Sequence, residues 1–266
     1  MPRPRVSHYR VVVSGRTVEV YAFSKPIGYN LGLKKNNASI NERTKNPKIH
    51  PSAIARTRKN VIRLTNANAF QWKDIEEKII PTQFVSLTFK KNETNIDYAN
   101  QEYTNFIKRI NYHYFGTTKS VTKYLTVIEF QERGAVHYHT LYFNLPTIDL
   151  EAERKTRHFA NIWGHGFVDI IPVYSNNVGM YLAKYMTKNI DARLIGRRRY
   201  FSSRGLKKPV VISHEHMAHD LACELGTHEI PVFHSNYRSN VTGVTTYAVY
   251  ELKDVQLQHY FEGYNL

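Results

Sequence analysis

The stretch FQERGAVHYHTLYF, Phe130 to Phe143, decides the fold, because it reads as the turn and return strand of a β-hairpin. Its return arm sets His137 and His139 one residue apart, and residues i and i+2 of a strand point to the same face. Loop length fixes what stands opposite them. If Glu132, Arg133 and Gly134 form a three-residue loop with Gly134 left-handed, Gln131 pairs with Ala135. Counting outward, Glu129 then lies opposite His137 and Val127 opposite His139. A carboxylate and two imidazoles share one face within cross-strand reach. A two-residue loop would turn Glu129 to the other face. On the three-residue register, two nitrogens and one oxygen with positions left open suit a catalytic divalent metal. A bare H-x-H pair carries little weight in a chain with 13 histidines. It recurs as His214 and His216 in ISHEHMAHDLACELG, a helix expected to be capped by Ser213, where i and i+2 diverge and both side chains lie on the surface. Ala218 excludes an HExxH zinc motif there.

The elements around the hairpin follow from periodicity. TQFVSLTFK alternates as a strand, with Phe84, Ser86 and Thr88 on one face and Val85, Leu87 and Phe89 on the other. NIDYANQEYTNFIKRINYHYF opens with an acid and carries Tyr98, Phe106, Ile107 and Ile110 at helical spacing. VTKYLTVIEFQ is the hairpin's outgoing strand. LEAERKTRHFANIW predicts one helix, GFVDIIPV a strand, and NNVGMYLAKYMTKNI a helix capped by Asn176 or Asn177. The resulting β-α-β-β-α-β-α order is α+β with a central antiparallel sheet flanked by helices. Before it, YRVVVSGRTVEVYAF reads as a hairpin turning at Ser14-Gly15, residues 25–52 as a basic loop, and SAIARTRKNVIRLTNAN as a basic helix ending near Asn66. After it, PVFHSNYRSNVTGVTTYAVYEL reads as a hairpin with Gly243 at the turn. The expected organisation is an N-terminal extension over 1–80, a core over 81–195, and a basic loop with a C-terminal extension over 196–266 packed on that core.

Composition narrows the class of partner. The 266 residues are 42% hydrophobic, which describes a folded chain, and 37 Lys and Arg against 22 Asp and Glu give +15. That excess favours a polyanion, and nucleic acid over a membrane surface. A single cysteine, Cys223, excludes an internal disulfide framework and a cysteine-rich zinc site, and is expected to be a buried structural thiol. MPRPRVSHYRVVV lacks the apolar segment of a signal peptide, and no apolar run reaches membrane-spanning length. A reducing cytoplasm, and no membrane partner, are the expectations.

YLAKYMTK places Tyr181, Tyr185 and Lys188 at i, i+4 and i+7 on one side of a helix, with Lys184 between the tyrosines. Tyrosines so spaced are usually packing residues. Beside lysines and a metal hairpin they point to phosphoryl transfer: a phenol of pKa ~10 needs help to act as a nucleophile at neutral pH. Lysine can supply it by stabilising phenolate or phosphate charge.

FVSLTF at Phe84–Phe89, VHYH at Val136–His139 and YLAKYMTK at Tyr181–Lys188 occur in the order of the three motifs of HUH endonucleases. The chain resembles the rolling-circle replication initiators of small single-stranded DNA phages and plasmids, over about 105 residues from Phe84 to Lys188. The resemblance implies a ferredoxin-like, RRM-like sheet; His137, His139 and Glu129 as ligands of Mg²⁺ or Mn²⁺; and Tyr181 and Tyr185 as alternating nucleophiles with Lys184 and Lys188 beside them. Each of Tyr181-x-x-Lys184 and Tyr185-x-x-Lys188 also fits the single-tyrosine pattern. It further implies cleavage of a single-stranded origin through a 5′-phosphotyrosine, with the freed 3′-OH priming a host polymerase. No G-x-x-x-x-G-K-[ST] occurs, so unwinding falls to a host helicase, supercoiling or an origin already single-stranded. In LIGRRRYFSSRGLKK, Arg197, Arg198, Arg199, Arg204, Lys207 and Lys208 with Tyr200 and Phe201 are candidate DNA contacts, cations for phosphates and rings for unpaired bases. Two alternatives remain open: the same chemistry in a relaxase or single-strand transposase, and a non-catalytic module binding single-stranded nucleic acid.

Overall fold

The computed structural model describes residues 5–29, 51–173, 178–186, 192–194 and 197–264. The chain divides into two compact units, residues 47–207 and residues 1–46 with 208–266.

The first unit carries the hairpin. Its strands are β3 (Gln83–Thr88), β4 (Tyr124–Phe130), β5 (Val136–Tyr142), β6 (Val168–Pro172) and β7 (Tyr200–Ser202), all paired antiparallel in the order β6-β3-β5-β4-β7. The βαββαβ strands thus lie fourth-first-third-second, the ferredoxin-like arrangement, with β7 added at one edge. The hairpin has the three-residue loop: Gln131 and Ala135 are bonded through Gln131 N–H to Ala135 O at 2.9 Å, and Gly134 has φ 88°. Glu129 accordingly pairs with His137 and Val127 with His139.

Each sheet face has its own core. On one, α2 (Ile96–Phe115) lays Ile96, Ala99, Tyr103, Phe106, Ile107 and Ile110 against Val85, Leu87, Ile128 and Tyr138. These helix positions recur at three- and four-residue intervals, and the Asn95 side chain accepts from Asp97 N–H and Tyr98 N–H to cap the helix. Tyr98, expected on the buried stripe, is 46% exposed because it stands one residue off that stripe. The predicted helix over 150–163 is broken into α3 (Leu150–Thr156) and α4 (His158–Trp163). Arg157 between them is left-handed at φ 51°, and the Glu153 carboxylate accepts from the Phe159 N–H at 2.9 Å, capping the second piece.

On the other face, α1 (Pro51–Asn66) and α5 (Val178–Ala183) cover Phe84, Leu125, Val127 and Leu141 through Val61, Val178 and Leu182. The expected caps Asn176 and Asn177 lie outside the described residues. Close approach of these helices depends on Gly179, whose N–H donates to Asn66 Oδ1 at 3.0 Å. A Cβ at Gly179 would lie 2.6 Å from the Ile62 carbonyl oxygen and 2.6 Å from Asn66 Oδ1. Gly179→Ala is therefore expected to lower stability by about 1–3 kcal/mol, the range for overpacking a filled core, measurable in urea denaturation.

The second unit joins the ends of the chain. β1 (Arg5–Ser14) and β2 (Thr17–Tyr29) form the expected hairpin, its turn falling on Gly15-Arg16, one residue later than expected, because Ser14 pairs with Thr17. β8 (Val210–Ile212), β9 (Phe233–Ser239) and β10 (Gly243–Glu251) complete a sheet in the order β8-β1-β2-β10-β9. Helices α6 (Glu215–His228) and α7 (Asp254–Tyr260) supply Ala218, Leu221, Leu225 and Tyr260 to the cluster containing Val11, Val18 and Tyr250. The divisions expected at 80/81 and 195/196 thus differ from those observed: the basic helix and β7 fall within residues 47–207, and the terminal strands share a sheet. Two further expectations are corrected here. Cys223 is exposed, 3.6 Å from His219 Nε2, because it falls on the outer side of α6. The N-cap of α6 is His214 rather than Ser213, without a side-chain cap bond. No helix among the described residues is long and apolar enough to cross a membrane.

Candidate active site

Antiparallel pairing lines up rows of side chains across the first unit's sheet. One row holds Asp169, Ser86, His139, Val127 and Tyr200; the next holds Thr88, His137 and Glu129. Glu129 faces His137 across the ladder, yet its carboxylate reaches diagonally to His139, with Oε2 2.7 Å from Nε2. The imidazole centroids of His137 and His139 are 4.4 Å apart. One ligand atom from each of Glu129, His137 and His139 lies within 4.8 Å of the others.

The neighbouring strand orients both rings. Ser86 Oγ lies 3.0 Å from His139 Nδ1, and Thr88 Oγ1 lies 3.1 Å from His137 Nε2. A hydrogen bond on one ring nitrogen fixes the tautomer and aims the other, the usual support of a metal-binding histidine. Burial, then the neighbouring His139, pushes the His137 pKa down to about 4 against the opposing pull of Glu129, so the ring is neutral and its lone pair available at neutral pH. One carboxylate, two imidazoles and oriented rings fit a divalent cation such as Mg²⁺ or Mn²⁺, the imidazoles suiting Mn²⁺ better than a purely oxygen-seeking ion.

The tyrosine segment closes over this group. α5 ends at Ala183 and tightens into a 3₁₀ turn, Lys184–Met186, so Tyr181 and Tyr185 lie on consecutive, differently wound turns. The Tyr185 ring stacks on His139 at 3.7 Å between centroids and 26° between planes. Tyr181 meets Phe84 edge-on at 4.8 Å, and the two tyrosine rings are 5.9 Å apart. Phe84 touches both tyrosines and His139, holding the phenols against the imidazoles. Burial, the neighbouring Tyr181 hydroxyl, and the charges of Glu129 and Asp169 push the Tyr185 phenol well above its ordinary range. A positive charge beside these carboxylates would offset their share of that shift. Lys184 Nζ stands 3.8 Å from the Tyr181 ring centroid and 5.2 Å from that of Tyr185. Lys188 lies outside the described residues.

The basic stretch expected to be a loop is partly strand. Tyr200, Phe201 and Ser202 form β7 because they pair with Val127, Thr126 and Leu125. Arg197 is tied to Asp97 by two hydrogen bonds, one of 3.0 Å from Nη2, and this guanidinium holds the carboxyl below the usual carboxylate range. Arg198 and Arg204 are exposed, and Tyr200 packs at the margin of the tyrosine-side core. Lys207 donates to Asn68 through its backbone and reaches Gln71 at 3.4 Å through Nζ. Lys208 is exposed and falls in the other unit. Ser86, Thr88, Phe84 and Asp169 were not named as site residues from sequence, although the alternation of Phe84, Ser86 and Thr88 was its visible trace.

The model of the replication-associated protein ORF2/G2P family matches residues 82–190, which span the hairpin and the tyrosine segment. The phasyl DNA replicon protein arp of Escherichia coli is 26% identical over 132 residues, covering 41% of this chain and 44% of that protein. No solved structure matches.

Proposed function

We propose, for a chain whose residues 82–190 match the model of the replication-associated protein ORF2/G2P family, that it starts rolling-circle replication by cutting and rejoining single-stranded DNA through a tyrosine. The observation that carries the reading is the stack of Tyr185 on His139, beside Glu129 and His137. A tyrosine that only packs is satisfied by an apolar surface and a partner for its hydroxyl. This one lies against the group best suited to a cation.

Glu129, His137 and His139 would hold the metal, and Ser86 and Thr88 would fix the rings. A bound divalent cation supplies positive charge that polarises a phosphodiester and favours a phenolate. In the proposed reaction the Tyr185 oxygen attacks phosphorus and the bond to the 3′ oxygen breaks. The phenolic proton is released, the departing oxygen takes one up, and the 5′ phosphate remains esterified to tyrosine. Tyr181, its ring 5.9 Å from that of Tyr185, would act in a second transfer, with the Lys184 ammonium over its ring stabilising developing negative charge. The freed 3′-OH would prime a host polymerase, with a host helicase opening the duplex.

Circular single-stranded DNA incubated with the protein and Mn²⁺ is expected to be opened into linear strands that carry protein resistant to SDS. EDTA in place of Mn²⁺ is expected to leave the circles intact. Binding without opening, in the presence of Mn²⁺, would instead identify a non-catalytic binding module.

A further inference from the structure

Beside β7 lies a cavity of about 560 Å³, within the size range of sites for small organic ligands. Its lining contains arginines, aromatic rings, hydroxyls and one amide, and no carboxylate. Such a lining, cationic and ringed, suits an anion that carries a flat face. We propose that this cavity holds one unpaired nucleotide of the DNA strand, its base against Tyr124 and Phe201 and its phosphate on Arg198. The inference rests on the proposed action on single-stranded DNA, but it concerns a place apart from the imidazoles and phenols.

Three further observations support it. First, the lining is held in place: Arg197 is fixed by Asp97, and the Asn100 Oδ1 accepts from the Tyr138 hydroxyl at 2.8 Å, which leaves the Asn100 amide N–H₂ to donate. Donors therefore predominate, and they match phosphate oxygens and the acceptor-rich edges of bases. Second, Phe201 lies on the edge strand β7 and Tyr124 on β4 beside it, and both are half-buried. Base stacking on such rings contributes strongly and tolerates any sequence. Third, Tyr200 ends the row that contains His139, and its neighbour Phe201 turns to the opposite face. A strand leaving the tyrosines along that row passes over β7 and arrives at the cavity. The site would hold the strand in register a short distance from the scissile phosphate.

Thr104 lines the cavity from the exposed side of α2, so Thr104→Trp fills the space without removing a core side chain or a charge. Affinities are compared by fluorescence anisotropy, in EDTA, for oligo-dT, oligo-dA and an abasic strand with the same number of phosphates. Wild type is expected to favour base-bearing strands by about tenfold. Thr104→Trp is expected to reduce that preference about fivefold while keeping the abasic affinity within about twofold. Arg198→Ala is expected to weaken all three strands alike and reduce the salt slope by about one. A wild-type preference in folded Thr104→Trp would overturn the proposal while leaving the nuclease reading standing, provided circles are still opened. Absence of binding to any strand would overturn both.

Discussion

His137→Gln with His139→Gln is expected to lower DNA strand opening by about 10³-fold or more and to abolish Mn²⁺ binding, with the fold retained. Removing both imidazoles should exceed the 10–100-fold typical of losing a single outer partner of a ligand. Glutamine keeps most of the volume packed against Phe84 and Tyr185, so the sheet face should remain filled. Ser86→Ala offers the graded comparison: it removes only the hydroxyl 3.0 Å from His139 Nδ1 and is expected to cost about 10–100-fold. Mn²⁺ titration followed by electron paramagnetic resonance, alongside the opening rate, separates loss of the ion from loss of chemistry. An equal loss of activity with undiminished Mn²⁺ binding would move the ion elsewhere.

The second large effect concerns the phenols. Tyr185→Phe deletes one oxygen and leaves the ring stacked on His139, so the packing persists while the nucleophile is gone. Covalent capture of DNA is expected to fall by about 10³-fold or more, the scale seen when a nucleophile is removed from an otherwise intact site. Tyr181→Phe is expected to leave the first capture within about tenfold, since it removes only a hydroxyl neighbouring Tyr185 and keeps the ring. It should block transfer of the captured strand to a second site. The quantities to follow are the first-turnover yield of linked protein and the yield of rejoined circles. Equal loss in both single variants would mean that the two hydroxyls act as one unit. Loss in Tyr181→Phe alone would reverse the assignment.

These expectations depend on features that differ in how plainly the sequence carried them. The hairpin register was legible on the condition of a three-residue loop ending at Gly134, from which period-two alternation places every side chain. The tyrosine spacing was equally plain, although the change from α-helix to 3₁₀ turn after Ala183 was not. The aid given by Ser86 and Thr88 depends on which strand lies beside β5, and a strand's own pattern does not name its neighbour. The same limit hid the second sheet: Ala22 pairs with Thr246, and nothing local ties segments so distant in the chain. β7 was hidden for another reason. It is three residues long and follows three arginines, so the charge outweighs the strand signal until pairing with β4 decides. Arg157 breaks its helix without glycine or proline, the residues that ordinarily announce a break.

The most direct measurement is to trap the protein on single-stranded DNA with Mn²⁺, digest both components, and locate the nucleotide-bearing peptide by tandem mass spectrometry. The account predicts a phosphodiester-linked nucleotide on Tyr185 after a single turnover, and on Tyr181 once strand transfer proceeds. Strand opening with no linked peptide, or a nucleotide on a residue other than these two, would contradict it.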